Sequence, residues 1–238
     1  MAVDYSKKSY WRERLSREKD VGFEWLLPTA EILSTISDVV GEVNYASTPV
    51  TILHFGCGSS TLGVDLQRHL GDHFAISDAD YASSSLHARD FADSTVSESF
   101  SSLQVPLYDI DVLDLKSLLS IAPTEGWDVF IDKSTADAIS CSPPLPGVSY
   151  SKHACNADEI DALSVLCANL RSVASRHCRW ISISYSATRF DFLTDCPEAS
   201  WHVVTKIPAR LQATTSTKEG RVVHQPATGT WIWVLAPR

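Results

Sequence analysis

The stretch TILHFGCGSSTLG places Gly56, Gly58 and Gly63 directly behind an apolar run. Gly56 lets the chain turn sharply off a strand, and Gly58 removes the side chain that would block a cofactor from the backbone. A following helix N-terminus presents its free N–H groups to the same point. Cys57 meets the need for a small side chain and counts with the turn as a cofactor contact. A dinucleotide fingerprint requires a third glycine three residues after Gly58, but Thr61 stands there, so the pyrophosphate reading is weakened and the turn alone leaves the cofactor open. About twenty residues on, Asp78 with Ala79 ends the next strand, where a carboxylate can accept from ribose hydroxyls. In YDIDV, Asp111 is placed to accept from an exocyclic amine while the Val112 N–H donates to a ring nitrogen. Each acid alone reads equally well as a helix cap or a solvated turn. Three successive strand ends lining one crevice favour a site, because ligands of open α/β sheets bind at the carboxyl ends of strands.

These residues need a frame that brings strand ends together. TPVTILHF, HFAIS, SLQVPLYDID, WDVFID and RWISISYS read as strands, separated by helices expected at 63–71, 83–91, 114–121 and 157–175. The last helix carries Ile160, Leu163, Leu166, Cys167 and Leu170 at helical spacing, a core stripe. SWHVVTKIPA and TGTWIWVLAPR alternate as a closing pair joined by a polar segment over 214–221. The expected fold is α/β: a Rossmann-like seven-stranded sheet, mostly parallel, with a C-terminal antiparallel hairpin and helices on both faces. One domain over residues 1–238 is expected, with an N-terminal helical lid segment at 1–45 and a Pro-rich insertion loop at 141–156.

The net charge of −9 argues against a protein that grips nucleic acid through phosphates. The six dispersed cysteines show no CxxC pair and no histidine at zinc-finger spacing, so reduced thiols and no metal site are expected. Nothing resembles a transmembrane run, and the charged opening MAVDYSKKSYWRERLSREKD lacks the apolar core of a secretory signal. A cytoplasmic monomer that contacts neither nucleic acid nor membrane is the expectation.

The strand, glycine turn and terminal hairpin resemble the class I S-adenosylmethionine-dependent methyltransferases. WDVFIDKSTADAIS further resembles the DKGTLDA motif of the eukaryotic methyltransferases that modify lysines of translation elongation factor 1A. YSKKSYWRERLSREKDVGFEWL is similar to the entry segment of that group, which covers the cofactor. The matching positions are Tyr10, Trp11, Arg14, Glu24 and Trp25, then Asp132, Lys133, Thr135 and Asp137, with Ser134 standing where the group usually has glycine. The resemblance implies S-adenosyl-L-methionine as cofactor and a protein lysine, in elongation factor 1A, as acceptor. A small-molecule acceptor on the same fold and a non-catalytic binding module are the alternatives.

Methyl transfer from a sulfonium needs alignment more than a visible base. Asp132, directly after an apolar strand, is expected as the catalytic carboxylate facing the acceptor amine or the donor's amino group, the alternative being a cap or an ion pair with Lys133. Trp11 is expected to cover the cofactor, and Arg14 to reach the donor's methionine carboxylate. Trp25, Lys133 and Tyr185 are expected at the acceptor. Asp137 and Trp201 are weaker candidates, as are Tyr150, Lys152 and His153 in the insertion. His54 reads as a core histidine.

Overall fold

The computed structural model describes residues 5–17, 24–43, 45, 48–85, 105–143, 145–146, 159–195, 200–209, 215–218, 221–224 and 229–238. Two helices, α1 (Lys8–Arg17) and α2 (Thr29–Gly41), precede β1 (Val50–Phe55), α3 (Leu62–Leu70), β2 (Phe74–Ala79) and β3 (Leu107–Tyr108). The chain continues through α4 (Leu115–Leu119), β4 (Trp127–Lys133), α5 (Thr135–Ile139), β5 (Leu145–Pro146), β6 (Glu159–Ile160), α6 (Ala162–Ser172) and β7 (Ala174–Ser184). It closes with α7 (Phe192–Asp195), β8 (Trp201–Ala209), β9 (Thr215–Lys218), β10 (Arg221–His224) and β11 (Thr230–Pro237).

β1 and β4 are buried at almost every position, as strands covered on both faces are. They lie at the centre of a seven-stranded sheet ordered β3-β2-β1-β4-β7-β11-β8. Strands β3 to β7 in that order are parallel, and β11 runs antiparallel to both β7 and β8. This is the expected Rossmann-like sheet with its terminal antiparallel pair. One face packs Leu53, Phe55, Phe130 and Trp180 against Leu163, Leu166 and Leu170 of α6. The other packs Ile52, Ile76, Val129 and Ile131 against α2 and α3 through Ile32, Ile36, Leu62 and Leu66. No helix among the described residues is long and apolar enough to cross a membrane.

Some boundaries differ from expectation for local reasons. α6 begins at Ala162 rather than at 157 because Asp161 caps it, its carboxylate accepting from the Ser164 N–H at 3.0 Å. Ile160 therefore falls in β6, outside the helical stripe. The polar segment 214–221 contributes to a two-stranded antiparallel ladder, β9 with β10, where the runs TSTK and RVVH are rich in β-branched residues. Most of the helix expected at 83–91 and most of the insertion, with Tyr150, Lys152 and His153, lie outside the described residues.

Chain order reverses direction across the sheet between β1 and β4, and the crevice at such a switch point opens at the carboxyl ends of the strands. Just beneath it, His54 Nδ1 and Asp78 Oδ1 are 2.8 Å apart, both buried. That pair explains Gly63, for a Cβ there would sit 2.3 Å from Asp78 Oδ1. Gly63 is thus demanded by a buried carboxylate under α3. Gly63→Ala is expected to lower stability by about 1–3 kcal/mol, as overpacking does. In an Asp78→Ala background the same change should cost little, and additive losses in urea denaturation would reject the contact.

Candidate active site

A cleft enclosing about 1090 Å³ of space, including its open mouth, lies over the carboxyl ends of β1, β2 and β4. Its floor is the turn after β1. Gly56 and Gly58 both have positive φ, +62° and +49°, where glycine is the low-cost residue. A Cβ on Gly56 would also overlap Thr135, 2.0 Å from Oγ1, because that hydroxyl bonds back to the carbonyls of Phe55 and Gly56 at 3.3 Å. Ser134 reaches this geometry with φ +68°, the left-handed conformation that glycine would take, at a cost of roughly 1–2 kcal/mol. Serine therefore preserves the backbone of the motif that resembled DKGTLDA.

Asp80, just past β2, lines the cleft and holds the turn. Its Oδ2 accepts from the Gly58 N–H at 3.0 Å and its Oδ1 from the Ala82 N–H at 2.8 Å. This corrects the expectation for Asp78, which points beneath α3 with His54 and does not line the cleft. A two-residue spacing would put both acids of ISDAD on one face of a continuing strand, but β2 ends at Ala79, so Asp78 stays beneath α3 while Asp80 leaves the sheet and turns to the cleft. The usable signal was position beyond the strand end. Ala79 also lies outside the lining, contributing its carbonyl to the Cys57 N–H at 3.1 Å. Asp111 and Val112 do line the cleft. Asp111 Oδ1 accepts from the Leu113 N–H at 2.9 Å, and the Val112 carbonyl accepts from Asn169 Nδ2 of α6 at 3.0 Å, which together hold this loop in place.

Asp132 does not face the cleft. It is fully buried on the opposite face, its Oδ1 accepting from the Ala136 N–H at 3.0 Å and its Oδ2 from Trp180 Nε1 at 2.8 Å. Its place is that of a cap for α5, the alternative weighed above. Burial pushes its carboxyl up to about 6 although both donors favour the ionised form. The next residue, Lys133, points the other way into the cleft. Its ammonium pairs with the Glu24 carboxylate and donates to the Leu27 carbonyl at 3.2 Å, while burial pulls it down to about 8.

The N-terminal segment forms one wall, through Tyr5, Ser6, Trp11, Leu15 and Trp25. Trp11 Nε1 donates to the Tyr5 carbonyl at 2.7 Å, and its ring meets that of Trp25 edge-on at 6.2 Å. Arg14 lies outside the lining, its guanidinium 4.6 Å from the Trp25 ring centre. Glu24 fastens the wall: Oε1 accepts from Thr29 Oγ1 at 2.9 Å, Ser60 Oγ at 2.8 Å and the Thr61 N–H at 3.2 Å. Sequence reasoning matched Glu24 to a motif without seeing this clasp. It also missed Tyr81, a cleft residue whose hydroxyl is pushed up by burial and by the carboxylates of Asp80 and Asp111.

Tyr185 is 54% exposed and outside the lining. Its N–H donates to Asp137 Oδ2 at 3.1 Å, and Asp137 Oδ1 also accepts from Ser184 Oγ at 2.5 Å and Arg189 Nε at 2.8 Å. Asp137 thus organises the exit of β7. Trp201 is core, donating to the Cys167 carbonyl at 2.8 Å. Of the insertion, Ser142 reaches the cleft.

No family model matches the chain. It is 27% identical to "Methyltransferase srdJ" of Neurospora crassa over 214 residues, 89% of this chain and 79% of that protein. The N-methyltransferase NodS of Bradyrhizobium japonicum, solved with S-adenosyl-L-homocysteine, superposes with a TM-score of 0.55 at 11% identity, covering 98% of this chain and 99% of that one. A putative precorrin-6Y C5,15-methyltransferase domain of Corynebacterium diphtheriae gives 0.52 at 10% identity, covering 90% and 99%. TrmN of Thermus thermophilus gives 0.51 at 10% identity over 94% of this chain, which spans 52% of that protein's length. The Rossmann-like architecture of this chain is shared with these solved methyltransferases, and the Neurospora relative is itself named a methyltransferase.

The buried Asp132 has a consequence for stability. A carboxyl raised from 3.8 to about 6 on folding stabilises the protein fully below about pH 4, and that contribution is lost as pH rises through 6. The span is worth about 3 kcal/mol. Urea midpoints of the wild type should fall from pH 4 to pH 7 relative to those of Asp132→Asn, whose amide does not titrate. Parallel profiles would contradict the assignment.

Proposed function

We propose that the chain transfers a methyl group from S-adenosylmethionine to a small acceptor seated between the aromatic N-terminal wall and α5. The observation that carries the reading is the convergence of three successive strand ends, Gly56 to Gly58, Asp80, and Asp111 with Val112, on a single cleft. These residues suit the group. Asp80 would accept from the ribose hydroxyls, and Asp111 with the Val112 N–H would read the adenine edge. The side-chain-free backbone at Gly58 would admit the sulfur-bearing tail. The bound cofactor supplies a methyl on a sulfonium, already a strong electrophile, so the protein contributes alignment and exclusion of water. Trp11 and Trp25 do the excluding.

Towards α5 the lining is Ser134, Thr135, Ala138, Ile139 and Ser142, with no ionisable side chain among them. Such a wall suits an uncharged or aromatic acceptor. A second reading, a protein-lysine methyltransferase acting on elongation factor 1A, is favoured by one contact. The two segments that resemble that group meet across the cleft through Glu24 and Lys133.

S-adenosylhomocysteine at a hundredfold excess over its Kd is expected to raise the wild-type Tm by about 5–10 °C. Asp80→Ala should largely abolish that shift, and a wild type that does not respond would reject the cofactor. Labelled donor incubated with a cell extract then separates the acceptors: label in the small-molecule fraction supports the first reading, and label confined to protein overturns it in favour of the second.

A further inference from the structure

A strand in continuous register matches its neighbour residue for residue, and β7 does not. Its pairing with β4 passes from Trp127↔Ala174 directly to Val129↔Arg179, so Ser175 to Cys178 all stand opposite Asp128 alone. Its ladder to β11 on the other side reaches only as far as Trp180. Extra residues of this kind leave the ladder and re-aim their side chains. Here they carry Arg176 and His177 into solvent, while Ser175 and Cys178 are buried.

The sequence around this bulge, RSVASRHCR from Arg171 to Arg179, holds three arginines and a histidine and no acid, in a chain of net charge −9. Burial pushes the Cys178 thiol well up, Asp128 adds to that, and Arg179 and Arg171 oppose it, so both guanidinium groups act on one point inside the bulge. None of the three arginines forms an ion pair among the described residues. Two of them have internal reasons for their positions. Arg171 sits in the last turn of α6, where a cation suits the helix dipole, and Arg179 donates to the carbonyls of His177 and Cys178 at 3.3 and 3.0 Å. Arg176 and His177 have no such reason, for neither side chain bonds to any described residue. The neighbouring acids do not neutralise them. Asp128 accepts from the Thr51 N–H and hydroxyl at 3.0 and 3.1 Å, and the exposed Glu125, beside the Gly126 that packs against Ala174 and Ser175, pairs with no arginine.

β4 and β7 run parallel, so the bulge lies at the amino end of the sheet, opposite the cleft. The run from Arg176 to Ser184 at the cleft end covers about 25 Å, roughly three times the distance over which physiological salt screens a charge. The acidic remainder of the chain therefore does not cancel the local positive charge. A nucleic acid or an anionic bilayer extends well past that range and would meet the acidic remainder, whereas a few carboxylates on one short segment would not. No large apolar side chain between 171 and 179 is exposed, as insertion into a bilayer would require.

We propose that the bulge at the start of β7 is a docking site for a short carboxylate-rich segment of a partner protein. Arg176 and His177 make the outer contacts, and Arg171 flanks them. A guanidinium fork offers two parallel N–H groups to one carboxylate, a geometry that a lysine lacks. Because bulge and cleft are at opposite ends of the sheet, the cleft stays open while the partner is bound.

Fluorescence anisotropy at low salt tests this with two labelled peptides of about ten residues, one rich in glutamate and one with glutamine in its place. The wild type is expected to bind the glutamate peptide at least about tenfold more tightly. Arg171→Gln/Arg176→Gln should weaken that binding by about tenfold, and Arg176→Gln alone, at an exposed position that leaves the fold intact, by about threefold. Arg68→Gln/Lys116→Gln removes the same charge from exposed positions elsewhere and should change it less than about twofold. A wild type that does not distinguish the peptides, no loss in the bulge variants, or equal loss in the control pair would overturn the proposal. So would a uridine oligonucleotide or phosphatidylserine vesicles that bind more tightly than the peptide and lose that binding in Arg171→Gln/Arg176→Gln, since the patch would then serve those polyanions.

Discussion

The Glu24 carboxylate sits where three parts of the chain must be joined: the segment that walls the cleft, the first turn of α3, and the end of β4. It takes hydrogen bonds from Thr29, Ser60 and the Thr61 N–H and pairs with the Lys133 ammonium. Burying two opposite charges is favourable only when their remaining donors and acceptors are also satisfied. Here they are engaged from both sides, and the anion lies at a helix N-terminus where the backbone dipole favours it. This junction ties the segment that carries Trp25 to the sheet, and the ring of Trp25 in turn meets Trp11 of α1. With it, Trp11 and Trp25 form a wall of the same cleft that the glycine turn floors.

The second constraint is the two-residue period of the strands. It assigns His54, Asp78 and Lys133 to the face covered by α2 and α3, and Asp132 to the face covered by α6. Neighbouring residues in WDVFIDK therefore have unrelated duties. Asp132 closes a hydrogen-bonded link between the start of α5 and Trp180, deep in the aromatic core, whereas Lys133 looks into the cleft. A motif read as a string treats the two as one unit; the pleat divides them.

The tight turn around Ser134 couples these constraints. By taking a left-handed backbone, Ser134 swings Thr135 against Gly56, so the exit of β4 and the exit of β1 fit together as knob and socket. The glycine at 56 thus answers to Thr135, and the glycine at 63 to Asp78, with neither requiring a ligand to explain it. Gly58 is different, since its Cβ position meets nothing closer than a Leu15 methyl at 3.8 Å. There the positive φ of +49° is what favours glycine.

Element order, the seven strands, the antiparallel ending and the crevice at the switch point were all legible in the sequence, because apolar periodicity and turn residues are local signals that set local structure. So were Gly56, Cys57, Gly58, Asp111, Val112, Trp11, Trp25 and Lys133 as cleft residues. Tertiary structure alone decided between Asp78 and Asp80, removed Asp132, Arg14 and Tyr185 from the lining, and revealed what Glu24 fastens. The physical reason is the same in each case. Whether a polar side chain meets a ligand or another side chain depends on partners distant in sequence, as Glu24 is from Thr61 and Asp132 from Trp180, and no local pattern encodes those pairings.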